Sequence, residues 1–352
     1  MTLLGLAGLV FFLAWKITGC LYQSAWRNIL LDRPNQRSLH TVPVPRTGGL
    51  AIIGSFLVGI AGAVIVGSLP LRATGGALPF VWEWIVCMTV FVAGVSFFDD
   101  RKGLVIWGRL CAHFIAASGV VLGAGLMLST FPIPWGGEVE LGRWAPFISV
   151  LFLVWMANLY NFMDGMDGFA GGMTVIGSSF LSVFAGLSGH YLLALLAILV
   201  AAAAAGFLLH NFPPAQIFMG DVGSVPLGFL CGSIMLLGFT DKVFDFWVPI
   251  VLFSPFAVDA TITLFHRALR CERVWEAHRD HYYQRVVLSG WSHRRTVLAE
   301  YAVMAFCGML AILYNGATEG VRLIVLVAWS LLFLVLAGLV NRLQRGAKVR
   351  EE

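Results

Sequence analysis

Long, unbroken apolar runs alternate with short polar breaks along almost the whole chain. Eleven runs are long enough to cross a bilayer: 3–20, 48–67, 80–98, 104–129, 145–163, 168–186, 190–209, 223–240, 246–267, 298–315 and 321–340. A spanning helix needs about 20 residues. The runs lack the two-residue alternation of barrel strands, so they predict an all-α polytopic membrane protein, a single transmembrane domain over residues 1–352. Two or three runs are short and glycine-interrupted, which leaves a count of ten open. The first run has no basic stretch before it and no small-residue cleavage site after it, so a retained span is expected rather than a removed leader. Residues 130–144 read as a solvated turn or short hairpin. Residues 21–47, rich in Pro and Gly, read as irregular. Residues 268–297 read as a partly amphipathic helix at the interface, with Trp275, Tyr282 and Tyr283 at headgroup level.

Composition sharpens this picture. Of 352 residues, 59% are hydrophobic and 12% charged, against about 25% charged in soluble domains. Seventeen of the 23 Lys and Arg fall in loops on one side of the predicted membrane. The positive-inside rule then places the N-terminus outside and those loops in the cytoplasm. The net charge of +4 is therefore a topology signal, and no nucleic-acid partner is expected. Six scattered cysteines without a C-x-x-C pair suggest neither a disulfide framework nor a zinc site.

Four polar clusters sit at the cytoplasmic ends of spans: "FFDDRKGL" with Asp99 and Asp100, "NLYNFMDGMDGFAGG", "IFMGDVGS" with Asp221, and "HRDHYYQR". A lone pair of adjacent acids is readily a hydrated loop, but four clusters on one side point to a site. Asn158, Asn161, Asp164 and Asp167 recur every third residue. That spacing fans out over half of an α-helix or aligns on a 3₁₀ turn; either way two carboxylates and an amide can converge at a helix mouth. Hard oxygen donors of this kind suit Mg²⁺, which takes one or two protein carboxylates and leaves room for water and substrate phosphate. Taken alone, Asp221 could equally be a helix cap. His278, His281, Tyr282 and Arg285, at i, i+3, i+4 and i+7, would share one helical face able to bind phosphate and sugar hydroxyls, or membrane lipids. Arg109, near the inner end of span four, could snorkel or meet a lipid phosphate. Asp259, deeper in span nine, is a functional candidate or a helix–helix hydrogen bond.

Together the blocks "DRPNQRSLHTVPVPRTGG", "DDRKGL", "NLYNFMDGMDGFAGG", "FMGDVGS" and "HRDHYYQR" resemble, in order, the motifs of the polyprenyl-phosphate N-acetylhexosamine-1-phosphate transferases, enzymes of the glycosyltransferase 4 type. The resemblance implies ten or eleven membrane helices, a Mg²⁺-dependent site facing the cytoplasm (Mn²⁺ being an alternative), and a nucleotide-sugar donor. It makes Asp99 and Asp100 catalytic, and Asp221 a metal ligand with Asp164 second. Asn158, Asn161, Asp167, His278, His281, Arg285 and Arg109 become substrate-binding residues, with Arg37 and His40 of the first block. The branch that makes peptidoglycan precursors has consecutive histidines in the last block. Here Arg279 and Asp280 separate His278 from His281, which favours a simple UDP-N-acetylhexosamine over a muramyl-peptide donor.

The expected reaction is attack of a membrane polyprenyl phosphate, undecaprenyl phosphate in a bacterium, on the β-phosphorus of a UDP-N-acetylhexosamine or its 6-deoxy relative. It yields lipid-diphosphate-sugar and UMP, and would initiate a surface glycan such as lipopolysaccharide O-antigen. Asp99 or Asp100 would orient the acceptor phosphate. The bacterial inner membrane is the expected location, and homo-oligomer formation is left open. The rival from another class is an ion-coupled secondary transporter, which would place its acids near the membrane midplane. Only Asp259 fits that.

Overall fold

The computed structural model describes residues 3–23, 30–32, 34, 42–69, 81–273 and 278–351. These form thirteen α-helices: α1 Leu3–Gln23, α2 Gly48–Ile65, α3 Val81–Lys102, α4 Ile106–Ser118, α5 Ala145–Met163, α6 Phe169–Leu187, α7 Tyr191–Asn211, α8 Asp221–Thr240, α9 Trp247–Leu252, α10 Ser254–Leu269, α11 Tyr282–Leu288, α12 His293–Tyr314 and α13 Glu319–Glu351. Two short antiparallel pairs accompany them. β1 (Leu31–Asp32) pairs with β2 (Val44–Pro45), Asp32 opposite Val44. β3 (Thr130–Pro132) and β4 (Glu138–Glu140) form the hairpin expected between spans four and five. Among the described residues, ten helical stretches are long and apolar enough to cross a membrane, and the all-α polytopic reading holds.

Three expectations need correction. The ninth run, 246–267, is two helices broken at Phe253. Pro255 in the first turn of α10 has no N–H to continue the ladder of α9, and its ring disfavours helical backbone before it. The interfacial helix expected over 268–297 shrinks to the seven residues of α11. Gly290, in the left-handed region at φ +99°, stops it, and Ser292 then caps α12 by accepting the Arg295 amide, so the next span starts earlier than its apolar run. The fourth span also ends early, in a π-helical turn over Gly119–Gly123.

Helix α8 is the hub. Every residue from Val222 to Gly238 is buried. In a bilayer, helices associate through close backbone packing, because lipid tails are as apolar as leucine. Glycines provide that approach here: a Cβ on Gly228 would lie 2.3 Å from the Met156 carbonyl oxygen of α5, and one on Gly49 of α2 would lie 2.3 Å from Cα and N of Gly223. The segment before α8 is pinned to the one before α2: Phe218 donates to the Pro45 carbonyl, and Gly48 and Gly49 donate to the carbonyls of Phe218 and Met219. The N-terminal ends of α2, α4 and α8 and the C-terminal ends of α3 and α5 therefore meet at one face of the bundle.

Gly49→Ala should destabilise the bundle by about 3 kcal/mol, the upper end for overpacking, since the obstructing atoms are backbone. Gly54→Ala on the same helix, whose added Cβ meets nothing within 4 Å, should be near neutral. Thermal unfolding in detergent distinguishes the two; equal midpoints would contradict this account of the α2–α8 contact.

Candidate active site

The acids predicted from sequence gather around the first turn of α8. A helix start leaves amides without intrahelical partners and carries a partial positive charge, so carboxylates are favoured there. Asp100, at the end of α3, accepts the Val222 amide at 3.0 Å through Oδ2. Its neighbour Asp99 accepts the Leu104 amide at 2.6 Å through Oδ1 and Arg109 Nη1 at 3.0 Å through Oδ2. The same Arg109 Nη1 is 3.8 Å from Asp221 Oδ2, and Asn161 hydrogen-bonds to Asp221. Asp221 is the first residue of α8 and makes no side-chain cap of its own; Asp100 supplies that cap from another helix.

Asp164 closes the group. It ends α5, and its carboxyl is held well above the usual carboxylate range by burial, then by the charges of Asp221, Asp100, Asp32 and Asp167. Against this negative cluster stand two arginines, Arg109 and Arg46. Arg46 Nη1 is 3.6 Å from Asp100 Oδ1, and Nη2 donates to the Asp100 carbonyl. Asp100 Oδ1, Arg46 Nε and Thr47 Oγ1 are buried without hydrogen-bond partners. Such orphans are rare in a native interior, and three beside one helix start mark a place that a polar ligand completes. Among the described residues, no three His, Cys, Asp or Glu side chains form a ready-made metal cage. Two carboxylates amid excess negative charge nevertheless fit Mg²⁺, which draws its remaining ligands from water and phosphate.

A cleft beside this cluster is lined by Asp99, Arg109, His113, Asn158, Asn161 and Asp221. Asn158 Nδ2 donates to the Val154 carbonyl at 2.7 Å and lies 3.4 Å from His113 Nδ1. Asp99, Asp100, Asp164, Asp221, Asn158, Asn161 and Arg109 are thus brought together. The sequence reading missed Arg46, Asp32 and His113. His113 stands one turn from Arg109, so their i, i+4 spacing was the available signal.

Other candidates lie apart. Asp167 accepts the Ala215 amide at 3.0 Å and faces His293 at 3.4 Å, tying loops together outside the cleft. The shared helical face does not exist, because α11 begins at Tyr282, after both histidines. His281 is buried against Asp259, Nδ1 to Oδ1 3.1 Å. His278 lies near His281, 4.8 Å between ring centres, and its Nδ1 accepts the Asp280 amide at 3.3 Å. Arg285 reaches α13, where it donates to Asn341 and Gln344. Of the two readings for Asp259, the hydrogen bond is the one observed. Arg37 and His40 lie outside the described residues.

The model of the family described as Glycosyl transferase family 4 matches residues 82–239, from α3 to the end of α8. The chain is 32% identical over 321 residues to the probable undecaprenyl-phosphate N-acetylglucosaminyl 1-phosphate transferase of Bacillus subtilis (strain 168), covering 88% of this chain and 85% of that one. The chain belongs to glycosyl transferase family 4. This family member is also 29% identical to the decaprenyl-phosphate N-acetylglucosaminephosphotransferase of Mycolicibacterium smegmatis, over 90% of this chain and 86% of the relative. It is 28% identical to the phospho-N-acetylmuramoyl-pentapeptide-transferase of Moorella thermoacetica, over 81% and 89%. The protein is accordingly a membrane-embedded transferase. The stretch matched by the family model contains Asp99, Asp100, Arg109, Asn158, Asn161, Asp164 and Asp221, whereas His278, His281 and Arg285 lie beyond it.

The histidine segment carries a pH signature. Burial, then the neighbouring His281 and Arg267, lower the His278 pKa from 6.5 to about 4. Between those values the unfolded chain binds a proton that the folded chain does not, so stability falls as pH drops below 6.5. His278→Gln should therefore lose less thermal stability than the native protein between pH 7 and pH 5. Equal losses would contradict the neutral, half-buried His278.

Proposed function

We propose that this transferase moves an N-acetylhexosamine 1-phosphate from a UDP-sugar to a membrane polyprenyl phosphate, releasing UMP. The observation that carries the reading is the convergence of Asp99, Asp100, Asp164 and Asp221 on one helix start beside Arg46 and Arg109, at an end of a membrane bundle. A polyprenyl tail stays in the bilayer and a UDP-sugar stays in water, so the reaction belongs where the two meet. The bias of basic residues assigns that face to the cytoplasm, and so the site to the inner membrane of a bacterium.

An oxygen of the acceptor phosphate attacks the β-phosphorus of the donor. The new oxygen–phosphorus bond forms as the bond from that phosphorus to the bridging oxygen breaks, and UMP departs with the electron pair. The sugar–oxygen bond is untouched. Such a transfer depends on positioning and charge stabilisation. A phosphate monoester has its second pKa near about 6, so at neutral pH little proton removal is needed. Asp99 spends both oxygens on the Leu104 amide and Arg109, which makes it the residue that aims Arg109 at the phosphates. Asp100 keeps Oδ1 without a hydrogen bond, so it is the acid that orients the acceptor. Asp221 and Asp164 would hold Mg²⁺ (Mn²⁺ as an alternative), which would supply charge neutralisation for the departing UMP. Arg46 and Arg109 offset the remaining phosphate charge, while Asn158 and Asn161 offer amides to the donor.

The donor is assigned as a simple UDP-N-acetylhexosamine, N-acetylglucosamine or a 6-deoxy relative included, and the acceptor as undecaprenyl phosphate. Two of the relatives named above carry N-acetylglucosamine in their names, and the separated histidines support the same branch. The product would start a lipid-linked surface glycan such as lipopolysaccharide O-antigen.

Purified protein given radiolabelled UDP-N-acetylhexosamines and polyprenyl phosphate should move label into a butanol-soluble lipid, and EDTA should abolish the transfer. Asp221→Asn and Asp100→Asn should each lower kcat by about a hundredfold or more, the scale of a lost charge-stabilising group. Absence of labelled lipid across a panel of UDP-sugars would refute the proposal.

A further inference from the structure

The turn that carries Asp164 is braced from a part of the molecule outside the acid cluster. Asp259, on α10 just past the break at Phe253, is buried and is the acceptor for four donors. Oδ1 takes Thr263 Oγ1 at 3.1 Å, His281 Nδ1 at 3.1 Å and the Tyr282 amide at 2.9 Å; Oδ2 takes the Tyr283 amide at 3.1 Å. A seven-residue helix cannot hold itself together in isolation, and its first amides would be unsatisfied in a buried setting. Asp259 satisfies those of Tyr282 and Tyr283, and so fixes where α11 begins and where Tyr283 points.

Tyr283 is fully buried. Its ring packs against Phe169 at 4.7 Å and stacks on His281 at 5.9 Å. Its hydroxyl has no hydrogen-bond partner of ordinary geometry, and it is pressed against Gly165, the residue after Asp164: a Cβ on Gly165 would lie 2.2 Å from that oxygen. Phe169, which holds the ring, opens α6 on the far side of the same turn. A polar atom buried at a functional turn without a partner calls for an explanation, and packing alone would be served by phenylalanine.

We propose that Asp259 and Tyr283 are positioning residues for the transfer reaction, a strut running from the broken helix through the start of α11 to Gly165 that sets where Asp164 stands relative to Asp221. The role assigned to Asp164 rests on the function proposed above; the strut itself does not. Asp259 acts only through α11, and Tyr283 acts on the turn through its hydroxyl.

The test uses the full chain in detergent, with Tyr283→Phe, Gly165→Ala, the double variant and Asp259→Asn. Tyr283→Phe keeps the ring packing, so its melting temperature should stay near that of the native protein. Its kcat should fall about tenfold, as for a small misplacement of a group at the reacting centre, with KM for the lipid acceptor unchanged within about twofold. Gly165→Ala should be at least as damaging, because its Cβ collides with the hydroxyl. Removing that oxygen leaves the nearest atoms at 3.3 and 3.4 Å, so the double variant should recover to the level of Tyr283→Phe alone, a non-additivity expected of direct contact. Hydrogen exchange at residues 164–168 should quicken in Tyr283→Phe and Asp259→Asn. This second readout needs no catalysis: a native protein without transferase activity would sink the proposed function while exchange still judged the strut. The strut is overturned if exchange at 164–168 is unchanged in both variants, or if the double variant is no better than Gly165→Ala.

Discussion

The amide of Val222 has no partner within its own helix, and Asp100 supplies one from α3. Around that bond the polar face of the molecule is organised. The positive end of α8 draws carboxylates from two other helices, and those carboxylates hold Arg46 and Arg109 in place. Each party needs the others. Buried acids without cations would be costly in a membrane protein, and the two half-buried arginines supply them. A surplus of negative charge remains, and it adds to burial in holding the Asp164 carboxyl above the usual range.

Such a polar knot can exist beside a bilayer only because the apolar body that carries it is rigid. Glycine contacts let α2 and α5 approach α8 to backbone distance, and the segments before α2 and α8 exchange hydrogen bonds. The helix ends that bear Asp99, Asp100, Asn161, Asp164 and Asp221 are held by backbone, with little reliance on flexible side chains. The break between α9 and α10 serves the same end. It frees α10 to carry Asp259 beneath α11 and so ties the histidine segment to the turn after α5.

The apolar runs and the basic bias were enough to read an all-helical membrane protein with its chemistry at one face, because a spanning helix must satisfy its backbone internally and declare itself as a continuous apolar stretch. Local spacing also revealed the acids and amides of the cleft, since helix mouths are where an apolar chain can tolerate them. What it could not reveal were partnerships between residues far apart in the chain. Arg46 with Asp100, the use of Asp167 as a loop tie, and the division of labour between Asp99 and Asp100 depend on which helix ends meet. The four-residue pattern in "HRDHYYQR" suggested one face, yet Asp259 starts the helix after both histidines and Arg285 turns to α13. Periodicity encodes which way side chains face once a helix exists. Where that short helix begins was decided by a carboxylate more than twenty residues away, and only the tertiary packing brings it there.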